Sequence, residues 1–357
     1  MTTYKIDMRD NSFNLTLLSK YRQHIFALAI IMIVFHHLTF KMLGNTVMAK
    51  AYMFLRVTGA TGVDIFLFLA GFGCWYSFSK DENEGAFYKR RLLRILPAYL
   101  AVAIPAYFIT DILLKSTGFF RFFADVSLIS FWIDGGSDWY IAASLFLYLL
   151  FPVIYRITKG FKPIKAIICL LFIWLIVVIV IFLLNASYFD ATNRLWARIP
   201  VFLFGTLIAP YIKTGYVVSN WNKKLILLFM IVFISLSVEA LLALKGSAYA
   251  YSFSARLMYC PLSISLVFIA VFLIEKLNNH FLNYVLTFIG EITLEIYMLN
   301  QRLIDLSCFV LTRYCNFSTN SLTGNIVGIF LTIIISWKLH NFIEGKQHKL
   351  NKHNGVS

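Results

Sequence analysis

The sequence predicts an all-α protein: a polytopic membrane helix bundle of about ten transmembrane helices with both termini cytoplasmic. Three observations lead there. Of the 357 residues, 60% are hydrophobic and 14% charged, against roughly 45–50% and about 25% in soluble domains. The mean hydropathy is +0.76. Apolar runs of spanning length recur along the chain, separated by short segments that hold most of the Lys and Arg.

A helix crosses the hydrocarbon core with about 20 mainly apolar residues. Runs of that kind fall at 24–43, 56–78, 95–114, 139–157, 164–185, 196–213, 223–243, 256–275, 282–304 and 322–341. The stretch 119–133 (FFRFFADVSLISFWI) is apolar but short, and it carries Arg121 and Asp125. It reads as an interfacial or re-entrant helix. Pro97 is expected in the first turn of the third span, and Pro105 mid-span, where it should kink the helix. The N-terminal residues are polar, with no small-residue cleavage site after the first apolar run, so that run reads as an uncleaved span. Residues 1–345 read as a single transmembrane domain and 346–357 as a short disordered cytoplasmic tail.

Orientation follows from Lys and Arg. With the N-terminus inside, inner segments hold Lys80, Lys89, Arg90, Arg91 and Arg94, then Arg156, Lys159, Lys162 and Lys165, then Lys213, Lys223 and Lys224. Outer segments hold fewer. The net charge of +15 alone would suit a nucleic-acid partner. Because the cations sit mostly in inter-span loops, no nucleic acid is expected, and the bilayer is the partner. The five cysteines show no metal-ligand spacing, so no metal site is expected. Cys308 and Cys315, near an outer helix end, could pair. Oligomeric state leaves no signal in the sequence.

The most informative residues are His36 and His37, deep in the first apolar run (RQHIFALAIIMIVFHHLTFKML, 22–43). An ionisable group at that depth is expensive without a task or partner, and imidazole exchanges protons near neutral pH. Asp64 lies at a matching depth in the second span, about 10–12 Å below the outer surface. The pair reads as a base with an orienting carboxylate, or as a polar lock between two helices. Arg22 lies on the face of His36, within about 40° and about 21 Å along the axis, whereas His37 is turned about 100° from His36.

Arg91 and Arg94 share a helix face at the end of the inner segment between the second and third spans (FYKRRLLRILPAYL). Such a cluster suits phosphate, gripped in a bidentate fork, or merely fixes topology on anionic lipid. Glu291 and Glu295 are i, i+4 in the ninth span and should not face lipid. Arg194 and Arg198 start the sixth span as their possible partners or as sugar ligands. Trp139 and Tyr140 open the fourth span, as a carbohydrate platform or an aromatic belt.

Several stretches together resemble the acyltransferase-3 family of bacterial integral-membrane O-acyltransferases of surface glycans. The first span ends IMIVFHH. GVDIFLFLAGFGCWYS (62–77) is similar to the family's G-V-D-x-F-F-x-x-S-G-F, and YKRRLLRILPAY (88–99) to its R-x-x-R before Ile-x-Pro. WYIAASLFLYLLFP (139–152), RIPVFLFGTLIA (198–209) and IGEITLEIYMLN (289–300) follow in the family's order.

The resemblance implies that His36 is the essential histidine and that Arg91 and Arg94 handle the acyl donor; by its charge and its place on the face of His36, Arg22 would join them. Trp139, Arg198, Glu291 and Glu295 would be acceptor-side or supporting residues. It implies acyl-CoA, most often acetyl-CoA, as co-substrate, no tightly bound cofactor, and a glycan hydroxyl as acceptor at the cell membrane. Three positions depart from the pattern. Ile25 stands where the family often has arginine, Ala70 replaces the serine of S-G-F, and Asn300 replaces a frequent histidine. A proton-coupled transporter of a glycan or small molecule is the alternative reading, since buried His, Asp and Glu can also relay protons.

Overall fold

The computed structural model describes residues 11–38, 46–136, 138–244, 252–315 and 322–353. Nearly all of them are helical. α1 (Thr16–Lys20) leads into α2 (Arg22–His37), α3 (Val47–Thr58), α4 (Thr61–Phe78) and α5 (Glu84–Tyr107). Two short helices, α6 (Phe119–Val126) and α7 (Ile129–Asp134), occupy the stretch expected to be interfacial. α8 (Trp139–Gly160), α9 (Pro163–Leu184), α10 (Ala186–Trp196), α11 (Ile199–Lys213) and α12 (Trp221–Leu244) follow. α13 (Phe253–Leu277), α14 (His280–Glu291), α15 (Thr293–Cys315) and α16 (Leu322–His353) complete the chain. One two-stranded antiparallel ladder pairs Phe13–Asn14 with Val217–Val218 and ties the N-terminal segment to the α11–α12 turn.

Among the described residues, eight helices are long and apolar enough to cross a membrane, or nine if a bent pair counts as one span. Local chemistry sets many helix starts. Asn83, Asn185, Ser252 and Asn279 each accept a backbone N–H three residues on, satisfying a donor the first turn leaves unpaired. Asn278, at φ 40°, ends α13 in the left-handed conformation, and Asn279 caps α14 at once.

α4 is buried on nearly every side and is the axis of the fold. Its approach to α11 is set by two reciprocal glycines. A Cβ on Gly71 would lie 2.1 Å from the Phe202 carbonyl oxygen, and one on Gly205 would lie 2.0 Å from that of Phe68. Only the missing side chains let the two backbones meet. On another face, Gly62 meets the Ala29 carbonyl and Gly59 the Met32 carbonyl, so α4 runs antiparallel to α2. α9, α12 and α16 expose long apolar faces and form the periphery.

Several sequence expectations change. The ninth span is broken: α14 and α15 are bent by 75° around Ile292. The Thr293 hydroxyl donates to the carbonyls of Ile289 (2.9 Å) and Gly290 (2.8 Å), satisfying acceptors that the break frees. The first span is a shorter helix of 16 residues ending at His37, and 39–43 lie outside the described residues. Pro97 lies inside α5, because Asn83 starts that helix much earlier than expected. Beyond Pro105, α5 widens into a π-helical segment, Phe108–Leu114, in keeping with the backbone hydrogen bond a proline removes. α16 runs past Lys346 to His353, into the tail expected to be disordered, and 354–357 lie outside the described residues. No disulfide joins Cys308 to Cys315: Cys308 is buried beside Asn325, and Cys315 is exposed.

Candidate functional site

Arginines gather at one end of α2 and α4. The Arg22 guanidinium lies so close over Gly73 that a Cβ there would sit 2.6 Å from Nη2. From α5, Arg91 reaches the same glycine and donates Nη2–H to its carbonyl at 2.5 Å. Aromatic rings flank both side chains: Phe26 and Phe72 for Arg22 (5.3 and 5.7 Å), Phe87 and Tyr148 for Arg91 (5.6 and 5.7 Å). The Nε atoms of Arg22 and Arg91 are buried without a hydrogen-bond partner. Such donors are costly to leave unmet, and both arginines border a cavity.

That cavity has a volume of about 630 Å³ and is bordered by Arg22, Arg90, Arg91 and the exposed Arg94. Arg90 is committed elsewhere, donating to Asp81 (2.9 and 3.1 Å) and to Ser77 (3.2 Å to Oγ, 2.8 Å to the carbonyl). In that exposed loop the Arg90 guanidinium holds the Asp81 carboxyl below its ordinary range. Arg22, Arg91 and Arg94 border the cavity with Arg90.

Glu291 and Glu295 border the same cavity, with His340 and Glu344. Glu295 is buried and its Oε1 lies 3.1 Å from His340 Nδ1, while its Oε2 has no hydrogen-bond partner. The sequence offers Arg194 and Arg198 as partners of these acids, but the break at Ile292 turns the acids toward the α2 end that carries Arg22. His340 is the partner instead. The cavity therefore offers guanidiniums on one side and carboxylates on another.

The histidines close the far end of α2. His36 Nδ1 lies 2.7 Å from the Arg56 carbonyl, and Arg56 Nε donates back to the His36 carbonyl at 3.1 Å. His37 Nδ1 lies 2.5 Å from Asn300 Oδ1. The Asn300 amide nitrogen donates to the carbonyls of Ile296 (2.8 Å) and Tyr297 (2.7 Å), which orients its oxygen toward His37. Both Nδ1 atoms thus face acceptors and carry a proton. The ring centroids are 5.3 Å apart.

Asp64, expected to orient His36, bonds elsewhere. Its Oδ2 accepts from Arg198 Nε at 3.0 Å, both residues are buried, and its Oδ1 has no hydrogen-bond partner. Helix geometry explains this. Gly62 faces α2, and two positions on, Asp64 is turned about 200° away. Nor does it share the level of His36, which meets Gly59 five residues earlier; the acid lies further along α4 and points to α11.

Arg198 also lies 4.9 Å over the Trp139 ring, and Arg194 donates to the Gly135 carbonyl at 2.6 Å. A guanidinium therefore covers the ring expected to stack on a sugar. Glu239 and Arg256, not singled out by sequence, join this region. Arg256 donates to Asn193. Glu239 is fully buried, with neither carboxylate oxygen hydrogen-bonded, within electrostatic reach of Asp64 and Tyr259. An acid inside the apolar run LILLFMIVFISLSVEALLAL was signal enough to find it.

Between arginines and histidines lies an aromatic layer. Phe66, Tyr140 and Tyr297 touch one another, with centroids 5.9 Å (Phe66–Tyr140), 6.3 Å (Phe66–Tyr297) and 4.9 Å (Tyr140–Tyr297) apart. All three line the cavity, as do Phe26 and Ala70. Tyr140, assigned by sequence to a sugar platform or an aromatic belt, belongs to this layer.

The family model described as Acyltransferase domain, Acyl_transf_3, matches residues 27–340. The match takes in the site described above apart from Arg22, Phe26 and Glu344. No curated protein and no solved structure matches the chain. A half-buried imidazole pair, an arginine-lined cavity and a family match over nearly the whole chain leave one conclusion: the chain belongs to the acyltransferase-3 family and is a membrane acyltransferase.

Proposed function

We propose that this acyltransferase moves an acetyl group from acetyl-CoA, held on the cytoplasmic side of the cell membrane, to a hydroxyl of a surface or lipid-linked glycan. The carrying observation is the cavity at the Arg22 end of α2, where Arg22 and Arg91 keep buried donors unmet beside the exposed Arg94. Several fixed guanidiniums suit a ligand with several phosphates. The Lys and Arg distribution supports a cytoplasmic position for this end of the bundle and for both termini.

In this reading His36 Nε2 takes the proton of the acceptor hydroxyl, its tautomer fixed by the Arg56 carbonyl. The hydroxyl oxygen attacks the thioester carbonyl. The C–S bond breaks, the C–O ester bond forms, and the proton passes to the departing thiolate as CoA thiol. A positioned base of this kind contributes about 10²–10⁴ in rate. Asp64 and Arg198 hold α4 against α11 beside this centre, and Trp139 supports Arg198. Glu291 and Glu295 lie on the donor side, across the cavity from the phosphate ligands. CoA is a co-substrate that leaves with each turnover.

The test is direct. Purified protein in nanodiscs should bind acetyl-CoA, and membranes carrying it should transfer labelled acetyl to glycan in a base-labile ester. Binding that is absent, or indifferent to Arg22→Ala and Arg91→Ala in folded protein, would discard the donor assignment. Identical ester content of surface glycan with and without the protein would discard the acceptor.

A further inference from the structure

We infer that Phe66, Tyr140 and Tyr297 form an acyl-selecting constriction that limits the transferred group to short chains. The inference rests on acyl-CoA as donor and goes on to specify which acyl groups the site accepts.

Position along α4 is the first ground. Gly73 contacts Arg22 and Arg91, Ala70 borders the cavity about one turn on, and Phe66 follows about one turn beyond that. A donor whose phosphates rest on the guanidiniums would extend its thioester along this wall. At Phe66 the way is closed by rings from three helices. α4 supplies Phe66, α8 supplies Tyr140 and α15 supplies Tyr297, all in mutual contact. Phe26 of α2 backs Phe66 at 5.8 Å.

Position along α15 is the second ground. Tyr297 stands about one turn before Asn300, which holds His37, and its carbonyl accepts from the Asn300 amide. The rings therefore sit between the cavity and the imidazoles. An acyl group reaching the histidines must fit among them. Ala70, where the family has serine, puts a methyl rather than a hydroxyl on this wall, so the acyl end of the cavity is apolar. An apolar pocket discriminates by volume: one methylene too many costs about tenfold or more when the walls do not yield.

The experiment compares acetyl-, butanoyl- and hexanoyl-CoA as donors for one acceptor, in the unaltered protein and in Phe66→Ala, Phe66→Leu and Tyr297→Ala. Because each ratio is taken within one preparation, any loss of folded protein cancels. The unaltered protein should prefer acetyl-CoA. The truncated variants should raise the hexanoyl-to-acetyl ratio at least about tenfold, with Phe66→Leu between. For a variant without turnover, the same ratio is read as relative affinity by calorimetry in nanodiscs. Ratios that stay constant across the variants would overturn the constriction and leave acetyl-CoA in place as donor. Failure of the unaltered protein to bind or use any acyl-CoA would overturn the donor reading and this inference with it.

Discussion

The pairing of Asp64 with Arg198 makes a quantitative prediction that separates scaffold from chemistry. The contact is 3.0 Å, and the side chains are 0% and 3% exposed. Removing one partner of such a pair strands a charge where water cannot reach it, at about 3–5 kcal/mol. Arg198→Met should therefore cut the folded-to-unfolded ratio by about two to four powers of ten. Asp64→Leu should cost a similar amount. The double variant should not cost the sum, because replacing both charges with apolar groups of similar volume is often neutral. Arg198 also lies 4.9 Å over Trp139 and 5.6 Å over Tyr259. Loss of those contacts leaves a deficit of about 1–2 kcal/mol in the double variant. The assay is reversible unfolding in mixed detergent micelles, analysed as a double-mutant cycle. Additive losses, or single losses under about 1 kcal/mol, would refute the buried ion pair. Recovered stability with lost acyl transfer would show that the pair also serves the reaction.

Arg91→Ala and Arg22→Ala should each weaken acetyl-CoA binding by about 1.5–3 kcal/mol, the worth of a charge-assisted hydrogen bond, and Arg→Lys should recover only part. Calorimetry on inserted protein measures this. His36→Ala should abolish acyl incorporation at equal protein level, and Asp64→Asn, which keeps an acceptor for Arg198, should cost less. Asn300→Leu should lower kcat with little change in the KM for acetyl-CoA, because His37 loses the acceptor that fixes its tautomer. Asn300→Asp, which restores an acceptor, should recover part of it. In intact cells a membrane-impermeant thiol reagent should label Ser116→Cys but not Asn83→Cys; the reverse pattern would invert the orientation.

What the sequence made legible follows from what depth and spacing encode. His36 and His37 stood out because an imidazole inside an apolar run is costly in any fold. Arg91 and Arg94 stood out because i, i+3 cations must share a face, and both border the cavity. Asp64 was located but given the wrong partner. Hydropathy places a residue within a span, whereas its level against a neighbouring helix and its azimuth both depend on how α4 meets α2. Gly59 and Gly62 mark that face in hindsight, but only once their close contacts with α2 are seen. The break at Ile292 was hidden because hydropathy runs unbroken through 282–304 and a single hydroxyl, that of Thr293, satisfies the freed carbonyls. Beside that break, Glu291 and Glu295 border the cavity that Arg22 and Arg91 line. Asn300, noted as a departure from the family pattern, still presents an acceptor to His37.

The length of α2 ties the two ends of the site together. Its 16 residues rise about 24 Å, less than the roughly 30 Å of a hydrocarbon core. A helix that short cannot bring both Arg22 and His37 to headgroup level, so at least one functional end lies inside the protein. At the arginine end, Gly73 and the cavity provide that interior. At the histidine end, Arg56 and Asn300 clasp the two rings from α3 and α15. On the proposed function, donor and acceptor would meet across much less than a membrane's thickness. The aromatic layer of Phe66, Tyr140 and Tyr297 occupies the remaining gap, which makes those rings, rather than the lipid, the barrier the acyl group has to pass.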